Sequence, residues 1–114
     1  MKPMYHVFLF LFGFSFAQQK ISDADVMKNI NKEVIYCNKV YGNYTSKKVV
    51  LLNLGAKYPN QKMTVAIFQS DWKKFNYKPA EFLKDKTICV SGKLIIYKDI
   101  PEIIVNNPKQ ITVQ

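Results

Sequence analysis

Hydrophobic and polar residues alternate along most of the chain after residue 32, with the two-residue period of a half-buried β-strand. Val, Ile and Tyr dominate these stretches, and polar turns that contain Gly, Pro, Asn or Ser separate them. Asn38 and Gly42 interrupt the first stretch and suggest a long, bent strand with a bulge. The pattern predicts strands at 33–44, 48–54, 62–69, 86–97, 102–105 and 111–113, of which the last two ranges form the fifth strand.

Two segments show a helical period instead of alternation. In the first, three apolar residues spaced three apart follow an acidic N-terminal turn, which predicts a short helix over 23–30. In the second, Trp72 and Phe75 share that spacing and Pro79 can begin a helical turn, which predicts a helical connector over 71–84. Both helices are expected to be minor parts of a mostly β domain.

The first 17 residues have the organisation of a secretory signal peptide. Lys2 supplies a positive charge, residues 7–16 form an apolar run too short to span a membrane, and Ser15 and Ala17 place small residues at the cleavage-determining positions. The less favoured alternative is a buried N-terminal strand or helix, because polar residues follow abruptly from Gln18. We therefore expect a mature domain of residues 18–114 that is secreted or periplasmic and has no membrane span.

Composition narrows the classes of function. The chain has 114 residues, enough for one domain, and it carries 17 lysines and no arginine against eight acidic residues. Its one histidine, His6, lies in the predicted signal peptide, so residues 18–114 have none. Histidine-based triads, metal sites and acid–base chemistry are thereby excluded. We expect no enzyme, no cofactor and no metal site, although a carboxylate site assembled only by folding stays open.

Three stretches of the chain carry a resemblance to a known family. They are VIYCNKVYGNY, LLNLGAKYPNQKMTVAIF and CVSGKLIIYKDIPEIIVNNPKQI, and they cover about residues 32–114. Together they resemble the OB-fold nucleic-acid-binding family, especially small exported bacterial members and the OB modules that accompany nucleases. The resemblance implies a five-stranded Greek-key barrel with a short N-terminal helix and a helix between strands three and four. Asn38 departs from the pattern, because a glycine is usual at that position.

The two cysteines, Cys37 and Cys89, fall on the first and fourth predicted strands, which the OB resemblance makes antiparallel neighbours. Each stands out of phase with the adjacent apolar residues that point towards the core. An exported protein seldom keeps free thiols, so we expect a Cys37–Cys89 disulfide. Two separately packed thiols are the alternative, and a metal site built on two sulfurs alone is the least favoured interpretation.

Lysine is the main indication of function in the composition. Many lysines fall in turns or at strand edges between aromatic residues, which indicates a positively charged groove in which bases stack on aromatic rings. The absence of arginine argues against bidentate reading of bases. We therefore expect binding of single-stranded DNA or RNA with little sequence preference. Two alternatives stay open: lysines that only solvate the surface, and a module that binds a protein or an oligosaccharide of the cell envelope.

The OB resemblance also implies where the ligand binds. Its ligand face comprises strands two and three and the loops that join strands one to two and strands four to five. The residues that it implicates here are Tyr44, Lys47, Lys48, Asn53, Lys62, Thr64, Tyr97 and Lys98. Tyr41, Tyr58 and Trp72 are second choices, because Tyr41 and Trp72 can equally pack into the ends of a barrel.

Overall fold

The structure is a computed structural model that describes residues 18–114, and the predicted signal peptide lies outside these residues. The described chain is mostly β, as predicted, and the predicted strands agree with the observed ones to within two residues at each end. Seven strands are present: β1 (Gln19–Ile21), β2 (Glu33–Thr45), β3 (Val49–Leu54), β4 (Met63–Phe68), β5 (Thr87–Tyr97), β6 (Ile100–Ile104) and β7 (Ile111–Val113).

Five of the strands form a ring of pairings. The ring runs through β2, β3, β4, β6 and β5, and β5 pairs again with β2. All of these neighbours are antiparallel except β4 and β6, which are parallel. β1 pairs in parallel with β2, and β7 pairs with β5, so both widen the sheet beside the ring. The arrangement is OB-like, but the strand count is seven instead of the predicted five. The three-residue strand β1 is too short to show an alternation, and the two ranges predicted to form the fifth strand are the separate strands β6 and β7.

β2 and β5 are long enough to belong to both sides of the ring. The first half of β2 pairs with β5, and its second half pairs with β3. A bulge between Val40 and Gly42 separates the two halves and leaves Tyr41 unpaired in the register with β3. The predicted bend is confirmed at Gly42, whereas Asn38 stays in regular register opposite Ile88.

The connections between the strands are helical only in short pieces. They comprise the 3-10 helices Asp23–Asp25, Met27–Asn29, Gln69–Lys74 and Pro108–Gln110, and one turn of α-helix, α1 (Pro79–Phe82). The predicted helices over 23–30 and 71–84 are thus corrected to short turns. Helices of this length cannot offset the cost of nucleation, so burial of Val26, Phe75 and Leu83 against the strands decides their shape.

Apolar side chains from one face of each ring strand fill the interior. The largest fully buried side chains are Val34, Tyr36, Val40, Leu52, Leu54, Met63, Val65, Ile67, Leu83, Ile88, Leu94 and Ile103. Most of them alternate along their strands with residues that point outward, and burial of each contributes about 1.5–3 kcal/mol for a Val, Leu or Ile. One consequence is that polar residues between them lie on the outer face of the ring.

Cys37 and Cys89 form a disulfide, as the sequence predicted. The two residues lie directly opposite each other on β2 and β5, and their side chains are half-buried on the outer face while Tyr36 and Val90 point inward. The bond joins positions 52 residues apart. It therefore fastens the pairing that returns from β5 to β2.

Candidate functional site

A groove of about 700 Å³ lies on the outer face of β3, β4 and β6. Its most buried side chains come from near the end of β3, near the start of β4 and the middle of β6. Its walls come from the end of β2, the β3–β4 loop and the β5–β6 turn. In that turn, Lys98 and Asp99 both have positive φ angles of 51° and 67°, the conformation of a two-residue hairpin turn. The tight turn holds Lys98 at the edge of the groove.

Three polar side chains, Asn53, Thr64 and Glu102, form the floor of the groove. They occupy adjacent register positions on β3, β4 and β6, and each is at most 7% exposed. The Gln61 Nε2 donates a hydrogen bond to the Thr64 Oγ1 at 3.1 Å. The Gln61 Oε1 is buried and accepts no hydrogen bond from residues 18–114. The floor is therefore a polar strip on the outside of an apolar core.

Among residues 18–114, Glu102 is the only carboxylate that lines this groove. Its side chain forms no ion pair and accepts no side-chain hydrogen bond within residues 18–114. Burial raises the pKa of the Glu102 carboxyl above its ordinary value, because loss of solvent disfavours the charged form. The ionised carboxylate offers two oxygens that can accept hydrogen bonds from a ligand.

Tyrosine side chains form the walls. Tyr44 comes from β2, Tyr58 from the β3–β4 loop and Tyr97 from the end of β5, and they are 59%, 71% and 54% exposed. The Lys98 Nζ lies 5.4 Å from the centre of the Tyr97 ring. The walls thus present accessible aromatic surface together with a positive charge, the combination on which nucleobases stack.

Five of the eight predicted ligand-face residues line the groove: Tyr44, Asn53, Thr64, Tyr97 and Lys98. Lys47 and Lys48 do not line it; they are exposed in the turn between β2 and β3. Lys62 also lies outside the lining, because its side chain packs over Gly55, where an added Cβ would lie 2.6 Å from the Lys62 Cγ. The structure therefore brings together the predicted aromatic and polar residues but only one of the four lysines.

Of the three second-choice residues, one lines the groove and two lie outside it. Tyr58 lines the groove, whereas Tyr41 does not and instead lies with its ring centre 5.0 Å from the Lys39 Nζ. Trp72 lines a second groove of about 580 Å³ between β2, β3 and α1, and its Nε1 donates to the Ile67 carbonyl. Asn43 lines both grooves and therefore forms part of the ridge between them.

Sequence reasoning missed Gln61 and Glu102 in this site. A signal for Glu102 was present, because it is a charged residue inside the apolar strand IPEII, where the alternation places it opposite the core face. Gln61 carried no such signal, since it stands in a polar loop before β4.

Two further findings concern residues 18–114. No three His, Cys, Asp or Glu side chains in this range are grouped closely enough to hold a metal ion. No helix within it is sufficiently long and apolar to cross a membrane.

Comparison with known proteins gives a fold and no family. No family model matches the chain, and no curated protein matches its sequence. A protein assigned as an aspartyl-tRNA synthetase from Leishmania major Friedlin matches 85% of this chain with a TM-score of 0.54 and 10% identity. The aspartyl-tRNA synthetase from Entamoeba histolytica matches 98% of it with a TM-score of 0.56 and 14% identity. The chain spans only 21% and 22% of those two chains, and at these identities the likeness is one of fold.

Proposed function

We propose that this protein is a binding module for single-stranded nucleic acid and that the groove with the tyrosine walls is its binding site. The observation that carries the proposal is the set of three exposed tyrosines around one groove, with Lys98 beside one of them. Bases of any sequence can stack on such rings, and each stacked base contributes about 1–3 kcal/mol. In this proposal the ring of five strands is an OB barrel, and β1 and β7 are additions to it.

The charge of the domain supports an anionic ligand. Residues 18–114 contain 16 lysines against eight acidic residues, a net charge of +8. Lys47 and Lys48 project from the β2–β3 turn, which directly follows Tyr44 and Thr45. Neutralisation of phosphates by such lysines supplies affinity that does not depend on sequence.

The similar structures support the same class of ligand. Both are named as aspartyl-tRNA synthetases, enzymes that by their name act on a tRNA. The similarity covers about a fifth of each of those chains, so we extend from it only the nature of the ligand, a nucleic acid, and no catalytic activity.

We also propose that the protein works outside the cytoplasm, secreted or in the periplasm, and that it binds without catalysis. The signal-peptide pattern of residues 1–17 supports export, and the Cys37–Cys89 disulfide is the kind of bond that persists in oxidising compartments. The absence of histidine after residue 17 supports a binding role.

A salt-dependent titration tests the proposed function. Fluorescence anisotropy of a labelled thymidylate oligomer should show binding whose log K falls linearly with log salt, with a slope of about −0.7 for each phosphate contact. Absence of binding at low salt would show that the proposal is wrong. A protein or an oligosaccharide of the cell envelope would then be the ligand to test.

Two sets of variants distinguish the walls from the charged turn. The Lys47→Gln/Lys48→Gln variant should make the salt slope shallower by about 1.4. The Lys20→Gln/Lys109→Gln control loses the same charge away from the groove and should keep the wild-type slope. Retention of the wild-type slope in the first pair would show that the turn does not contact phosphates.

Tyr97→Ala should weaken binding about 5- to 150-fold, the equivalent of one lost stacking partner, with the slope unchanged. Tyr41→Ala is the matched control, because Tyr41 is exposed but does not line the groove. Equal affinities of both variants and the wild-type protein would place the binding site elsewhere.

A further inference from the structure

The floor of the groove offers hydrogen-bond acceptors that are not satisfied within the described chain. Glu102 is 93% buried, lines the groove and has no ion-pair or side-chain hydrogen-bond partner in residues 18–114. Gln61 lines the same groove, and its Oε1 is buried without a hydrogen-bond partner in residues 18–114. The carboxylate oxygens of Glu102 are not closed off from solvent, so they face the groove, where a ligand that donates hydrogen bonds can supply the partners that the chain does not.

The same carboxylate decides which part of a nucleic acid can reach the floor. A phosphate would be repelled by Glu102, and residues on the floor provide no positive charge to compensate. The positive charges lie at the edge, on Lys98, and in the β2–β3 turn, on Lys47 and Lys48. The backbone of a bound strand must therefore follow the edge of the groove, and a base must point towards the floor.

The Watson–Crick edges of the four bases differ in the donors that they present. Adenine and cytosine each present one amino group next to an acceptor, and thymine presents one N–H between two acceptors. Guanine alone presents two neighbouring donors, N1–H and the N2 amino group. A carboxylate has two oxygens at a spacing that accepts a pair of parallel hydrogen bonds, so guanine is its complement.

We propose that the floor of the groove binds the Watson–Crick edge of one guanine base, whose N1–H and N2–H groups donate to the two carboxylate oxygens of Glu102. The second hydrogen of the N2 amino group is then free to donate to the Gln61 Oε1 once the Gln61 side chain turns that buried oxygen towards the groove. The guanine ring lies between the tyrosine walls, where it stacks. This inference rests on the proposed function and adds a preference at one nucleotide to binding that is otherwise tolerant of sequence.

The test compares oligomers that differ in one base. Four fluorescein-labelled oligomers about eight nucleotides long are compared, a length that one OB fold can bind. One is all thymidylate, and each of the other three has a single guanine, adenine or cytosine at its centre. At one fixed low salt concentration, we expect the guanine oligomer to bind about 5- to 150-fold more tightly than the other three, the discrimination that a bidentate contact supplies.

Glu102→Gln provides the second arm, because it keeps the shape of the side chain and removes one of the two acceptors. We expect this variant to bind the guanine oligomer no more tightly than the thymidylate oligomer. The matched control is Glu33→Gln, which removes an exposed carboxylate outside the groove and should retain the preference. Far-UV circular dichroism of both variants shows that they are folded.

Each outcome has one interpretation. Equal affinity of the wild-type protein for all four oligomers would overturn the guanine proposal and leave the proposed function standing. A guanine preference that survives in Glu102→Gln would overturn the role of Glu102. Failure of every oligomer to bind would overturn the proposed function together with this inference. The wild-type comparison does not depend on the folding of any variant.

Discussion

Reduction of the Cys37–Cys89 disulfide should remove a large part of the stability of this domain. The bond joins residues 52 positions apart, on the two strands whose pairing completes the ring. In the chain-entropy description, opening a loop of that length returns about 14 cal/mol/K to the unfolded chain, which is about 4 kcal/mol at 25 °C. Because a domain of this size has a total stability of about 5–15 kcal/mol, the reduced protein should retain only about 1–11 kcal/mol.

Urea unfolding with and without a reducing agent measures this effect. For a slope of about 1–3 kcal/mol per molar urea, a loss of about 4 kcal/mol lowers the unfolding midpoint by about 1–4 M. The control is the Cys37→Ala/Cys89→Ala variant, which should unfold at the lower midpoint in both conditions. An unchanged midpoint on reduction, with loss of the bond verified by mass spectrometry, would refute the reasoning.

The bond and the groove lie on different parts of the ring, so stability and binding should respond separately. The disulfide joins the first halves of β2 and β5, whereas the floor of the groove comes from β3, β4 and β6. The folded fraction of the reduced protein should therefore bind the thymidylate oligomer with unchanged affinity. A titration of the reduced protein with the thymidylate oligomer, at low temperature and without urea, measures this affinity.

Two further predictions concern the packing of the ring and the charge of the groove. Gly92→Ala should destabilise the fold by about 1–3 kcal/mol, because the φ of Gly92 is +155° and an added Cβ would lie 2.8 Å from the Ile103 Cγ2. Thermal unfolding checks it against Gly42→Ala, where no atom lies within 4 Å of the new Cβ and little change is expected. Glu102→Gln should be more stable than the wild-type protein at pH 7 and similar to it below about pH 4. Burial raises the pKa of Glu102 in the folded state, so the folded protein holds the proton more tightly and the wild-type protein loses stability as pH rises through that folded-state pKa. Urea midpoints across this pH range measure the difference, and a variant less stable at pH 7 would contradict it.

Local pattern was sufficient for the strands from β2 onwards, whereas the disulfide also needed the OB resemblance. A two-residue alternation within a few neighbouring residues predicts a strand, so the bounds of β2, β3, β4 and β5 could be predicted to within one residue. Cys37 and Cys89 could be paired because the OB resemblance makes their strands antiparallel neighbours and each stands one step out of phase with the core residues of its own strand. The bounds of the short 3-10 helices could not be predicted, because tertiary packing of a few apolar side chains decides their form and they show no helical period.

The candidate site was accessible to sequence reasoning only where the OB resemblance supplied the topology. That topology led to Tyr44, Asn53, Thr64 and Tyr97, which do line the groove. It did not distinguish Lys98, which a tight turn holds at the edge, from Lys62, whose stem packs over Gly55. A long lysine side chain can follow many directions, and only its surroundings in the folded protein select one.

The sequence by itself thus determined the residue ranges of β2 to β7, the excess of lysine, the absence of histidine after residue 17 and the outward positions of the two cysteines. Only the tertiary structure decided that Thr64 and Glu102 become neighbours, because the parallel pairing of β4 with β6 joins segments far apart in the chain. It also decided that Glu102 is buried at the floor of a groove with tyrosine walls instead of being solvated with the other acidic residues. Alternation is a local property of the chain, whereas burial and the pairing of distant strands depend on the whole ring.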